Sequence, residues 1–160
     1  MRTLLWLTPV VILAGSSCSR QAAPPLPPAP PFQTVATTKE LMNAVLDPAV
    51  DVIWDAVGWI VTSEGTFEKA PATDDDWATL RASALQLAES GNLLMIGNRS
   101  GGSAEWITQA QALIDNSKRA IQAIDKKDKD ALFTIGGDLY DVCTNCHRQF
   151  MPSIVAPSNR

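Results

Sequence analysis

The sequence predicts an all-α domain, an antiparallel up-down-up-down bundle of four helices. Apolar residues recur at helical spacing in four segments between residues 37 and 152, and the breaks between these segments are short. No segment alternates apolar and polar residues as a half-buried strand does. The chain has 160 residues, 46% of them hydrophobic and 19% charged, which is the size and composition of one globular domain.

The first predicted helix starts at a capping box, in which Thr37 is followed three residues later by Glu40. Its apolar residues keep helical spacing as far as Ile60, and we expect the helix to break at Ser63-Glu64-Gly65. Pro48 lies inside this run, and a proline within a helix removes one backbone hydrogen bond. We therefore expect either a kink at Pro48 or a second piece capped by Asp47.

The other three predicted helices each follow a capping residue. Thr73 precedes three aspartates, a favourable first turn because the helix dipole attracts negative charge there. Ser103 is expected to cap the third helix and Asp128 the fourth.

Two further features bear on packing. The pair Gly136-Gly137 lies mid-helix, where each glycine costs about 1 kcal/mol relative to alanine. The pair indicates either close packing at a helix crossing or the exclusion of bulk beside a flat cofactor. Four tryptophans are expected to supply aromatic bulk to the core: Trp54, Trp59, Trp77 and Trp106.

The segments that flank the predicted bundle look like targeting and tether sequences. Residues 1–17 combine a positive start, an apolar run shorter than a membrane span, and small residues, which is typical of a signal peptide. The small residues lead into Cys18 and resemble a bacterial lipoprotein box, in which the cysteine is acylated. The alternative is a plain secretory signal. Residues 18–36 are proline-rich and predict a stiff tether, and residues 153–160 form a short tail.

A C-x-x-C-H motif ends the fourth predicted helix and is the attachment signature of c-type haem: Cys143, Cys146 and His147. Two thiols add to the two vinyl groups on one rim of the porphyrin, so they must lie close together. Residues three and four apart share a helix face, which gives the thiols that arrangement and brings the imidazole to the iron. The motif predicts one covalent haem c with His147 as the proximal iron ligand.

Three other interpretations of the motif are weaker. A thioredoxin-type redox pair opens a helix after a strand, whereas this pair lies near the end of a predicted helix. A zinc site needs a fourth ligand, and the folded part offers no spare Cys or His. A structural disulfide would not need the histidine.

Two methionines are candidates for the sixth ligand of the haem iron. In an antiparallel bundle the start of the first helix lies beside the end of the fourth, which favours Met42 as the distal ligand. Met95, late in the second helix, is the weaker candidate. The alternative role for either methionine is plain core packing.

A late haem motif in a four-helix bundle, with the distal residue on the first helix, resembles the class II c-type cytochromes. These are cytochrome c-prime and its Met-ligated low-spin relatives. The resemblance implies that Phe150 is the aromatic residue found three positions after the proximal histidine. The family often has an arginine four residues before the distal position, where this chain has Thr38, and the adjacent Lys39 is the candidate to bind a haem propionate.

Charge and histidine content exclude several classes of function. The net charge is -4 and no basic run is present, which argues against nucleic acid as a partner. The only histidine is His147, which excludes a bis-His haem and any further His-based catalytic site. We therefore predict no enzymatic activity.

The sequence predicts a periplasmic one-electron carrier tethered to a membrane through a lipidated Cys18. Its partners would be periplasmic or membrane redox proteins, met transiently, with a basic patch opposite this acidic surface. Formation of a homodimer is left open. The alternative is a five-coordinate haem that binds nitric oxide or carbon monoxide, as cytochrome c-prime does, and a third interpretation is a lipoprotein without haem.

Overall fold

The chain folds mainly into helices, as the sequence predicts. The structure, a computed structural model, describes residues 32–151. The predicted signal peptide, Cys18, most of the tether and the tail lie outside these described residues. The elements in chain order are α1 (Thr38–Leu41), a π-helical turn (Met42–Leu46), α2 (Asp47–Trp54), β1 (Gly58–Thr62), β2 (Gly65–Lys69), α3 (Asp74–Met95), α4 (Ala104–Asp125) and α5 (Lys129–Phe150).

The predicted helix starts are confirmed at all four capping residues. The Thr37 hydroxyl accepts the backbone N–H of Glu40 at 3.2 Å, and the Glu40 carboxylate accepts the backbone N–H of Thr37 at 2.8 Å. Thr73, Ser103 and Asp128 each accept a backbone N–H from the first turn of the following helix. Side-chain capping of these orphan N–H groups fixes where each helix begins.

A second helical piece begins beside Pro48, at Asp47, but the Asp47 side chain does not cap it. The chain widens into a π-helical turn just before the proline, with the backbone N–H of Asp47 bonded to the carbonyl of Met42. A proline ring has no N–H and collides with the carbonyl four residues earlier in an α-helix, and the wider turn relieves that collision. Asp47 is instead the first residue of α2, whose start has no side-chain cap.

The expectation of a first helix reaching Ile60, in a domain without strands, is wrong. The helix ends at Trp54, and β1 pairs with β2 in an antiparallel hairpin, with Ile60 opposite Phe67. Gly58 and Gly65 have φ angles of 150° and 143°, which favour glycine, and each begins a strand. Between them a run of aromatic and β-branched residues fits a strand better than a helix.

One apolar core joins the helices. Helix α3 packs mainly on α4 and α4 on α5, while α2 contacts both α3 and α5. Helices α3 and α4 approach closely at Gly91, where an added Cβ would lie 2.9 Å from the carbonyl oxygen of Ala110. The largest fully buried side chains are Ile53, Leu87, Leu132, Leu139, Ser90 and Ser117.

Of the tryptophans expected in the core, Trp54, Trp77 and Trp106 pack against it and are partly buried. Trp59 is 58% exposed, because it lies on the hairpin rather than on a helix. Among residues 32–151, no helix is both long enough and apolar enough to cross a membrane.

Candidate functional site

A cavity of about 620 Å³ opens between the helices where α5 ends and the π-helical turn begins. That volume lies in the range of pockets that hold cofactor-sized molecules. Apolar and aromatic side chains make up most of the wall, among them Leu46, Val50, Trp54, Leu87, Leu94, Trp106, Leu113 and Tyr140. The few polar groups in the wall can therefore fix the orientation of a bound molecule.

The C-x-x-C-H motif forms part of this wall. Cys143, Cys146 and His147 lie in the last two turns of α5 and all three line the cavity. Helical spacing of three and four residues puts the two sulfurs and the imidazole on one face. No disulfide joins the two thiols in this structure.

The surroundings of both thiols disfavour the thiolate form. Burial raises the pKa of Cys143 to about 11, with smaller contributions from Cys146 and Asp47, and burial also raises the pKa of Cys146. A redox-active C-x-x-C pair needs the opposite shift, because the thiolate is the nucleophile. This electrostatic environment disfavours a thioredoxin-type function for the motif.

Met42 lines the same cavity as the motif, from the first residue of the π-helical turn. Met95 and Met151 do not line it, so Met42 is the only methionine of residues 32–151 that does. π-Helical turns occur frequently at functional sites. Two thiols, an imidazole and a thioether thus converge on one space.

Two tryptophans are fixed in the cavity wall by hydrogen bonds. The indole N–H of Trp106 donates to the carbonyl of Leu94 at 2.8 Å, and that of Trp54 donates to the carbonyl of Gly136 at 2.9 Å. Phe150 does not line the cavity. Its ring packs edge-on against Trp106 with the ring centroids 5.0 Å apart, so it buttresses the wall from behind.

Lys39 is exposed on α1 and does not line the cavity. Two carboxylates that the sequence did not point to, those of Asp47 and Asp51, do line the cavity. Their four-residue spacing on α2 places them on one face, and this spacing was the available signal. The wall near α2 is therefore acidic, which does not favour a propionate beside these two residues.

Of the glycine pair on α5, only Gly136 lies at a close contact with another helix. Gly136 is buried, and a Cβ added there would lie 3.5 Å from Cδ1 of Trp54. An added Cβ at Gly137 would meet nothing within 4 Å. Neither glycine lines the cavity, which favours close packing with α2 over the exclusion of bulk beside a cofactor.

The cavity fits a covalently attached haem. Its wall offers two sulfurs for thioether bonds, an imidazole and a thioether sulfur as iron ligands, and aromatic surfaces for a flat ring. The chain matches no protein-family model, no curated protein and no solved structure.

Proposed function

We propose that this protein is a monohaem c-type cytochrome that carries one electron at a time. In this proposal residues 37–152 form an antiparallel up-down-up-down four-helix bundle with the haem attached near one end. The observation that carries the proposal is that Cys143, Cys146, His147 and Met42 line one cavity of about 620 Å³. The sequence motif supplies the attachment chemistry, and the cavity supplies the space.

Each of these side chains has one role in the proposal. Cys143 and Cys146 would hold the porphyrin through thioether bonds, and His147 and Met42 would be the ligands of its iron. Bound haem supplies one-electron chemistry between ferrous and ferric iron. A distal methionine raises the reduction potential, which suits a carrier rather than an oxygen-activating site.

The surrounding wall has the complementary role of keeping the ligands in place. Trp54 and Trp106 are anchored to backbone carbonyls, so their rings cannot rotate freely into the cavity. Leu46, Val50 and Leu94 line the cavity with apolar side chains, which would limit the access of water to a bound haem. Ligands that stay in one geometry in both oxidation states are what a fast electron carrier requires.

A five-coordinate haem that binds nitric oxide or carbon monoxide is the second candidate. The apolar side chains beside Met42 favour it as much as the first, because such a lining also admits a small uncharged gas. The two candidates differ only in whether the sulfur of Met42 binds iron. We place either protein in the periplasm, held to a membrane by a lipidated Cys18, on the basis of the sequence alone.

The visible absorption spectrum tests the proposal. The mature protein is expressed with a haem-attachment system and measured oxidised, reduced, and reduced under carbon monoxide. A low-spin spectrum that carbon monoxide leaves unchanged supports a filled sixth position and an electron carrier. A high-spin ferrous form that binds carbon monoxide supports the gas-binding protein, and the absence of covalent haem overturns both.

A further inference from the structure

The acidic groups in the wall of the cavity are two aspartates of α2. Asp47 and Asp51 line it, whereas no lysine or arginine of residues 32–151 does. The other polar lining residues are neutral or belong to the C-x-x-C-H motif: Gln109, Tyr140, Thr144, Cys143, Cys146 and His147. The wall therefore carries two negative charges that no lysine or arginine in it balances.

The two aspartates differ in their surroundings. Neither forms an ion pair with another residue of the described range. Asp51 also lines a separate depression of about 480 Å³ beside α3, together with Lys69 of β2, whose positive charge partly offsets it. Asp47 does not line that depression, so its charge acts on the cavity with less compensation.

The charge of Asp47 acts at the place where the haem would be attached. Burial is the main cause of the raised pKa of Cys143, and the charges of Cys146 and Asp47 add to it. A carboxylate raises the pKa of a nearby thiol because it repels the negative thiolate. By the same interaction, the Asp47 carboxylate attracts a positive centre that is bound in the cavity.

We propose that Asp47, assisted by Asp51, lowers the reduction potential of the haem below the value that its axial ligands alone would set. This inference rests on the proposed function. Reduction of bound haem by a one-electron donor converts ferric into ferrous iron and lowers the charge of the site by one. Negative charges in the wall favour the more positive ferric state, so the protein gives up its electron to an acceptor more readily.

The test is a spectroelectrochemical redox titration of the holoprotein and of its Asp47→Asn and Asp51→Asn variants. Asparagine keeps the size of the side chain and removes its charge. The matched control is Asp55→Asn, because Asp55 is also exposed and follows Asp51 by four residues but does not line the cavity. A further variant, Asp47→Glu, keeps the charge and should keep the potential of the natural chain.

Asp47→Asn should favour the ferrous form by about three-fold at low ionic strength and so raise the midpoint potential by about 28 mV. Asp51→Asn should act in the same direction but less strongly, because Lys69 offsets part of its charge. The Asp55 control should shift the equilibrium by less than about 1.5-fold. The effect of Asp47→Asn should shrink as salt is added, since Asp47 is exposed and its charge is screened.

Three results overturn the inference. An Asp47→Asn variant whose potential matches the control, or lies below that of the natural chain, shows that this charge does not favour ferric haem. A change of spin state in the visible spectrum of Asp47→Asn shows that Asp47 acts through the iron ligands rather than through its charge. A mature protein without covalent haem removes the proposed function and this inference with it, and a mass measurement made before the titration identifies that case.

Discussion

The indole N–H of Trp54 donates a 2.9 Å hydrogen bond to the backbone carbonyl of Gly136. This bond joins α2 to α5, and the two residues are 82 positions apart in the chain. Gly136 has no side chain, so the indole ring can lie directly against the α5 backbone. The same ring lies 6.0 Å from the ring of Tyr140, and both residues line the cavity.

Replacing Trp54 with phenylalanine should destabilise the protein because it removes this bond and leaves part of the ring volume empty. We expect a loss of about 1 to 2 kcal/mol in the free energy of unfolding. The control is Trp59→Phe, on an exposed tryptophan for which no side-chain hydrogen bond occurs within the described residues. Urea denaturation of both variants measures the difference, and equal stabilities would show that the Trp54 bond contributes nothing.

Two helical glycines should respond in opposite ways to alanine. At Gly91 an added Cβ would collide with Ile114 and with the backbone of Ala110, so Gly91→Ala should cost about 1 to 3 kcal/mol. At Gly137 the added methyl group meets nothing within 4 Å, and alanine is the better helix former by about 1 kcal/mol. Thermal unfolding should show a lower Tm for the first variant and a higher one for the second. If both variants were destabilised, the open space assigned to Gly137 on α5 would be refuted.

Met42→Ala tests the distal ligand. The variant should change a low-spin haem spectrum into a high-spin one and allow carbon monoxide to bind to the reduced protein. Met95→Ala is the matched control, because Met95 is also a partly buried methionine but does not line the cavity. Should the Met42 variant keep the natural spectrum, Met42 would be a packing residue only.

Asp76 should make the start of α3 sensitive to acid. Hydrogen bonds from the backbone and side chain of Thr73, and from the backbone of Ala72, hold the pKa of Asp76 below its ordinary value of 3.8. A carboxylate with a lowered folded-state pKa stabilises the protein above its unfolded-state pKa and loses that contribution as the pH falls through the folded-state value. Asp76→Asn should therefore be less stable than the natural chain near neutral pH, with the difference shrinking below about pH 4.

The control for this effect is Asp75→Asn, which removes a negative charge from the same first turn but none of the capping bonds. Urea denaturation at a series of pH values measures both variants. An Asp76 variant whose deficit stays constant down to low pH would contradict the assignment of the effect to the carboxylate.

Local signals in the sequence predicted the helix starts correctly because capping depends on neighbouring residues. Thr73, Ser103 and Asp128 needed no tertiary information. The hairpin was missed because Ile60 continues the helical spacing of the preceding segment. Gly58 was the sequence signal that the helix ends, because glycine often marks a break in regular structure. In the structure it adopts a φ of 150°.

The site was only partly predictable, because some of its residues are contiguous in the chain and others come together only in the fold. Cys143, Cys146 and His147 belong to one short motif that can be recognised without knowledge of the fold. Met42 required an assumption about how the helices are arranged, and the structure places it at the same cavity as the motif. Asp47 and Asp51 were missed because exposed carboxylates on a helix look alike until a cavity is seen beside them.

The central claim is covalent haem at Cys143 and Cys146, and the mass of the denatured mature protein tests it most directly. The chain is expressed with a haem-attachment system, alongside a Cys143→Ser, Cys146→Ser double variant as the control. We predict that the natural chain gains the mass of one haem that denaturation does not remove, and that the double variant gains none. A natural chain at the mass of the polypeptide, with or without its lipid, would contradict the account.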